Sequence, residues 1–191
     1  MEVIGLITGI ITLLSAIKNL IAGGQEGLNK EIAKNLNKQL IELEKKIISL
    51  GDFAKIIQSY RRLYADSLPL AEGANNAIKT MLTASQINEN ILDKFTPSAL
   101  SNVQGLFNKL ESSFKVIRSD IYGHDEGEIE VYIKQISTNL GKIEGYVESN
   151  NYIECQKQLY KIGEIAGKIS SLTGAMIESS LRDLERFSSR R

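Results

Sequence analysis

Apolar residues recur at spacings of three and four along most of the chain, the pattern of helices that bury one face. The clearest such stripe consists of Leu100, Val103, Phe107, Leu110, Phe114, Ile117 and Ile121. Three further stripes follow the same rule: Leu28, Ile32, Leu36, Leu40, Leu43, Ile47 and Leu50; Ile129, Ile133, Ile136, Leu140, Ile143 and Val147; and Ile162, Ile165, Ile169, Leu172 and Met176. No alternating strand pattern accompanies them. The sequence therefore predicts an all-α fold.

Several residues predict where the helices begin and end. Gly51 followed by Asp52 indicates a helix stop and a new cap, and the proline, glycine and asparagines of 69–76 indicate a kink or break. Thr96 is expected to cap a helix whose first turn contains Pro97. Asn150 and Asn151 indicate a tight turn. We expect a single helical domain over 1–191, with a four-helix-bundle-like core in 1–122 and a trailing pair of brace helices in 125–188.

The segment 3–22, VIGLITGIITLLSAIKNLIA, differs from the amphipathic helices because Lys18 is its only charge. As a helix it would reach about 30 Å, the thickness of the hydrocarbon core of a bilayer. Gly5 and Gly9 form a GxxxG step, which allows two helices to approach closely in lipid. This composition indicates either a central core helix or a segment that enters a membrane. A secretory signal is a third interpretation, but Glu2 stands where that class needs positive charge.

The membrane interpretation assigns a role to two sets of residues. Those expected to insert and oligomerise are Val3, Ile4, Gly5, Leu6, Ile7, Gly9, Ile10, Ile11, Leu13, Leu14 and Ile17. Gly23, Gly24 and Gly27 would form a hinge through which a helix stored in a soluble bundle could be released.

Composition excludes some classes of protein and partner. The 191 residues carry 23 Lys+Arg and 23 Asp+Glu, and this neutral balance gives no reason to expect a nucleic-acid partner. One cysteine, Cys155, excludes an internal disulfide. The last helix has a positive excess, which is either a solvated face or a surface attracted to anionic lipid. The residues concerned are Lys157, Lys161, Lys168, Arg182, Arg186, Arg190 and Arg191.

The chain offers little support for catalysis. His124 is the only histidine and is expected in a loop, and Cys155 has no second cysteine nearby and is expected to fill apolar space. The acidic run 120–130 has Tyr122 and His124 where a calcium loop needs oxygen ligands, so its acids are better explained as a helix start. We therefore predict no catalytic residues, no cofactor-binding residues and no metal site, and a protein that is not an enzyme.

A chain that begins Met-Glu-Val-Ile-Gly, enters a glycine-bearing hydrophobic helix at once and continues as amphipathic helices resembles the HeLo-type cell-death domains. It is also similar to the four-helix bundle of the necroptosis executioner and to plant RPW8-like and bacterial counterparts. The pentapeptide LTASQ at 82–86 is similar to a stretch of the necroptosis bundle. The resemblance implies an innate-immunity effector that rests in the cytoplasm, oligomerises, and inserts its first helix into membrane lipids to form pores. A regulatory protein or a fused signalling domain would then be a partner.

The alternative function is a soluble, non-enzymatic helical interaction module, such as an adaptor, an immunity protein or a secretion partner. In that case the segment 3–22 is only the core helix of the bundle.

Overall fold

The chain is all-α, as its periodicity predicts. The computed structural model describes residues 10–15, 18–19, 30–117 and 124–189. Its long helices are α1 (Lys30–Ile87), α2 (Glu89–Ile117), α3 (His124–Glu148) and α4 (Tyr152–Ser189), and residues 10–15 and 18–19 are helical as well. The described stretches contain no strand, which confirms the predicted fold class.

Contacts group the residues into two compact units. One, here called the N-terminal unit, comprises Met1–Ile57 and Ser180–Arg191, and the other, the bundle unit, comprises Gln58–Ser179. The bundle unit therefore takes its helices from the C-terminal half of α1, from α2 and α3, and from most of α4.

In the bundle unit α1 packs against α2 in antiparallel fashion. Ser113 Oγ, late in α2, donates a hydrogen bond of 2.5 Å to Asp66 Oδ2 of α1. Nearer the turn that joins the two helices, Gly73 faces Leu106 so closely that a Cβ on the glycine would lie 2.5 Å from Leu106 Cδ1. The two helices thus form a hairpin whose faces are held together by a polar contact and by close packing.

The remaining helices close the bundle. Ser67 and Ser170 join α1 to α4 through hydroxyls 2.8 Å apart, and a Cβ on Gly163 would lie 3.6 Å from Ala74 Cβ. A cavity of about 380 Å³ between α2 and α3 is lined by Pro97, Leu100, Ser101, Gln104, Leu140, Ile143, Glu144 and Val147. Each helix therefore runs antiparallel to its neighbours, in up-down-up-down order.

This arrangement gives α3 and α4 a different place from the one expected of a trailing hairpin. Together, α3 and α4 are two of the four helices of the bundle. Their apolar stripes are buried against α1 and α2, because the bundle unit offers them no other surface. Side chains from all four helices are fully buried, with 0% exposure: Leu63, Leu70, Met81, Val103, Leu110, Ile129, Ile136, Leu159, Ile162 and Ile169.

α1 runs through the breaks that the sequence predicts. It is one helix of 58 residues that contains Gly51, Pro69 and Gly73, so the predicted stop at Gly51 and the predicted break within 69–76 are wrong. A proline inside a helix costs about 3 kcal/mol. Leu70, directly after Pro69, and Leu63, earlier in the same helix, are fully buried. Because burying each large apolar side chain contributes about 1.5–3 kcal/mol, packing on this face offsets the cost of the proline.

The start of α2 also differs from the prediction. Asn88 separates α1 from α2 and caps α2, since its Oδ1 accepts a 3.0 Å hydrogen bond from the backbone N–H of Asn90. Thr96 is not a cap: it lies inside the helix, is buried, and donates from Oγ1 to the carbonyl of Leu92 at 2.7 Å. Pro97 accordingly stands inside α2 and not in its first turn.

The predicted turn at Asn150 is confirmed. Asn150 has a φ of 54°, the left-handed conformation that asparagine tolerates better than most residues. The N–H of Asn151 bonds to the carbonyl of Tyr146 at 2.8 Å, which closes the end of α3. The side chain of Asn151 then accepts a bond from the N–H of Glu154 at the start of α4.

Candidate functional site

The N-terminal helical residues carry apolar side chains on more than one face. Leu14 is buried at 5% exposure, whereas the neighbouring Leu13 is 61% exposed and Ile10 is 37% exposed. Ile11 is half-buried. A helix that buries one stripe in a soluble protein normally shows polar residues on the opposite side. Here the exposed residues include Ile10 and Leu13 as well as the polar Thr12, Ser15 and Asn19.

An ion pair joins this segment to α1 within the N-terminal unit. The ammonium of Lys18 donates to Glu44 Oε2, and both side chains are about one-quarter exposed. Partly exposed ion pairs contribute only about 0–1 kcal/mol to stability. This contact therefore fixes the position of the N-terminal helical residues against α1 more than it stabilises the fold. Ile47, one turn further along α1, is buried.

The remaining residues of the proposed insertion segment lie outside the described residues. They are Val3, Ile4, Gly5, Leu6, Ile7, Gly9 and Ile17 together with the hinge residues Gly23, Gly24 and Gly27. Their roles stay predictions. Within the stretches that the structure describes, no helix has both the length and the apolar character required to cross a bilayer.

Cys155 is sequestered on α4. The thiol is fully buried, which raises its pKa to about 11 because the thiolate would lose its hydration. A thiol with such a pKa stays protonated near neutral pH and is a poor nucleophile. His124, expected in a loop, is instead the first residue of α3.

A buried polar cluster between α1, α2 and α4 was not predicted. The carboxylate of Asp66 is 5% exposed and also receives the ammonium of Lys109 at 3.0 Å. Ser67, Ser170 and Thr173 are buried nearby along α1 and α4. Thr173 and Ser170 donate to carbonyls of their own helix, at 2.7 Å and 3.2 Å. These groups are hydrogen-bonded to one another and to the backbone, as buried polar groups in a helix bundle need to be. No group of three or more metal-ligating side chains occurs in the described part of the chain.

A basic groove lies between α3 and α4. We use this name for a cavity of about 540 Å³ lined by Val131, Lys134, Gln135, Thr138, Asn139, Lys142, Lys161, Glu164, Ile165 and Lys168. Lys161 and Lys168 belong to the positive excess predicted for the last helix. Lys134 and Lys142 on α3 were missed, because only the packing of α3 against α4 brings the two pairs to one groove.

An apolar groove lies where α1 meets α2. Its volume is about 340 Å³, and it is lined by Lys79, Thr80, Thr83, Ala84, Ile87, Ile91 and Phe95. Ile87 is 65% exposed and Phe95 is 54% exposed. Side chains of this size left open on adjacent helices are a surface suited to apolar contact.

Comparison with known proteins does not place this chain in a family. No family model, no curated protein and no solved structure matches this chain.

Proposed function

We propose that this protein is a membrane-targeting cell-death or defence effector that oligomerises and inserts its N-terminal hydrophobic helix into a lipid bilayer. The observation that carries the proposal is the exposure of Leu13 and Ile10 beside the buried Leu14. This helix offers apolar side chains to its surroundings while it is still packed against the protein, so it has a surface that lipid could cover.

Release of the helix would require little energy at its polar contact. The Lys18–Glu44 pair is partly exposed, and such pairs contribute at most about 1 kcal/mol. Glu44→Lys places a like charge opposite Lys18 and favours the released helix. This variant should therefore permeabilise membranes more readily than the wild type, as measured by dye release from phospholipid vesicles.

The central test is Leu13→Asp. An aspartate near the middle of an inserted helix costs about 3 kcal/mol, so dye release should fall by a factor of about 100 if insertion of this helix limits leakage. Leu13 is 61% exposed, so the charge is tolerated in the resting fold, which circular dichroism verifies. Leu82→Asp is the matched control, because Leu82 is an exposed leucine on α1 outside the N-terminal helix. It should leave dye release unchanged.

The proposal fails if the wild type and Glu44→Lys both leave vesicles intact. It also fails if Leu13→Asp leaks as readily as the wild type. Toxicity on expression supplies the same comparison in cells, and toxicity that survives deletion of residues 1–22 would exclude the mechanism.

A second candidate, a helical interaction module, is supported by the apolar groove between α1 and α2. Its occupant would be an apolar segment of a protein partner that covers Ile87 and Phe95. Phe95→Asp should then abolish binding to a purified partner, whereas Leu13→Asp should leave it intact. The opposite pattern favours the membrane effector.

A further inference from the structure

The basic groove concentrates positive charge with little compensation. It contains four lysines and one carboxylate, that of Glu164. Lys134 pairs with Glu130 at 2.8 Å. Among the residues that the structure describes, Lys142, Lys161 and Lys168 have no carboxylate within the 4.0 Å of an ion pair. Lys79 and Lys94, elsewhere in the bundle unit, also have no carboxylate partner among the described residues, so the groove is distinguished by the number of lysines that line it.

The wall of the groove supplies a polar group that is also without a partner. Asn139 is only 9% exposed and lines the groove, and its amide has no hydrogen-bond partner among the described residues. In the described part of the chain the one buried side-chain atom without a partner is Gln158 Oε1, so the amide of Asn139 is open to the groove. Its two N–H donors beside unpaired lysines suit an oxygen-rich anion.

The lysines form two tiers along the groove. α3 and α4 are antiparallel, so Lys142 and Lys161 lie at the end nearer the turn, and Lys134 and Lys168 lie at the far end. Lysines on the same helix are roughly two turns apart, about 11 Å along the axis. An anion that reaches both tiers must be elongated or carry charge at both ends.

We infer that the basic groove binds a multiply charged phosphate compound that spans both tiers. Phosphate oxygens accept from lysine ammonium and from amide N–H groups, and lysine binds phosphate as a point charge from several directions. The groove volume of about 540 Å³ lies within the range of small-ligand sites. The source of the phosphate is either a soluble polyphosphate or a lipid headgroup. This inference does not rest on the proposed function.

The first experiment is calorimetric titration of the full chain with inorganic tripolyphosphate at low salt. Lys142→Ala combined with Lys161→Ala removes one tier and should weaken binding about 10-fold or more, and raising the salt should weaken wild-type binding further. Orthophosphate, which occupies a single tier, should bind the wild type about 10-fold more weakly than tripolyphosphate. The matched control is Lys79→Ala combined with Lys94→Ala, which removes the same charge outside the groove and should bind as the wild type does.

Asn139→Asp tests the amide that lines the groove. It replaces the donors with a carboxylate that repels phosphate, so binding should fall about 10-fold or more even though all lysines remain. Asn139→Ala removes the donors without adding charge and should weaken binding less than the aspartate does. Circular dichroism shows whether each variant keeps its helices.

Vesicles distinguish the two sources. Phosphatidylcholine vesicles that contain phosphatidic acid should bind the wild type and release it to tripolyphosphate if a headgroup is the ligand. Tripolyphosphate binding without vesicle binding assigns the groove to a soluble ligand. The inference is overturned if neither probe binds, or if the variants lacking Lys142 and Lys161 bind as the wild type does. A wild type that binds tripolyphosphate but never leaks dye contradicts only the proposed membrane function.

Discussion

The buried carboxylate of Asp66 depends on its hydrogen-bond partners for stability. It is nearly inaccessible, and its oxygens are satisfied by Ser113 at 2.5 Å and by Lys109 at 3.0 Å. Lys109 is 68% exposed and can swing into solvent, whereas Ser113 is fixed inside the bundle. Periodicity predicted the buried Leu110 and Phe114 around this serine. It did not predict the polar pair, because hydrophobic spacing says nothing about a carboxylate at a core position.

Ser113→Ala should therefore destabilise the protein by about 1–3 kcal/mol, because it deprives a buried carboxylate of its donor. Ser112→Ala is the control: its hydroxyl is exposed and bonds only to the carbonyl of Asn108, so its loss should change stability by less than about 0.5 kcal/mol. Urea unfolding measures both. Equal effects of the two substitutions would contradict the role assigned to Ser113.

At the scale of helices, the apolar stripes were predictable and several helix ends were not. The stripes of α2, α3 and α4 lie in the core as expected, and Asn150 ends α3 as expected. Pro69 and Pro97 lie inside helices, although a proline is a local signal for a helix end. In both helices the burial of apolar side chains outweighs that local preference. Asn88, which does separate two helices, was not predicted as a helix boundary.

Glycines inside the helices allow a direct test of this balance. A Cβ added to Gly141 in α3 would meet no atom within 4 Å, so an alanine fits there without a clash. The glycine only makes the unfolded chain more flexible, which lowers the stability of the folded state. Gly141→Ala should raise the free energy of unfolding by about 1 kcal/mol. In Gly163→Leu, on α4, the branched side chain would collide with α1, because a Cβ there already reaches Ala74 at 3.6 Å. That variant should be destabilised, and thermal unfolding that ranks the two in the opposite order would refute the packing described.

At the scale of the whole molecule, the sequence predicted an α-helical bundle but assigned its core to 1–122, whereas the bundle unit Gln58–Ser179 includes α3 and most of α4. The apolar stripes show that each helix must bury one face, and they do not show against which neighbour. The neighbours are settled by contacts such as Ser67 with Ser170 and Gly163 with Ala74, in which small residues from distant parts of the chain meet. For the same reason the basic groove, which needs α3 beside α4, could not be predicted from either helix alone.

The bundle unit Gln58–Ser179 should fold without the rest of the chain. It holds all ten of the fully buried apolar side chains named above, from Leu63 to Ile169, and its polar cluster is complete within it. Its size lies in the range of independently stable domains. The isolated fragment should be helical by circular dichroism and unfold cooperatively in urea. A shorter fragment, 58–148, is the control: without α4 it exposes Leu63 and Leu70 and should lose cooperative unfolding. If the longer fragment were as poorly folded as the shorter one, residues outside Gln58–Ser179 would be required to hold the bundle together.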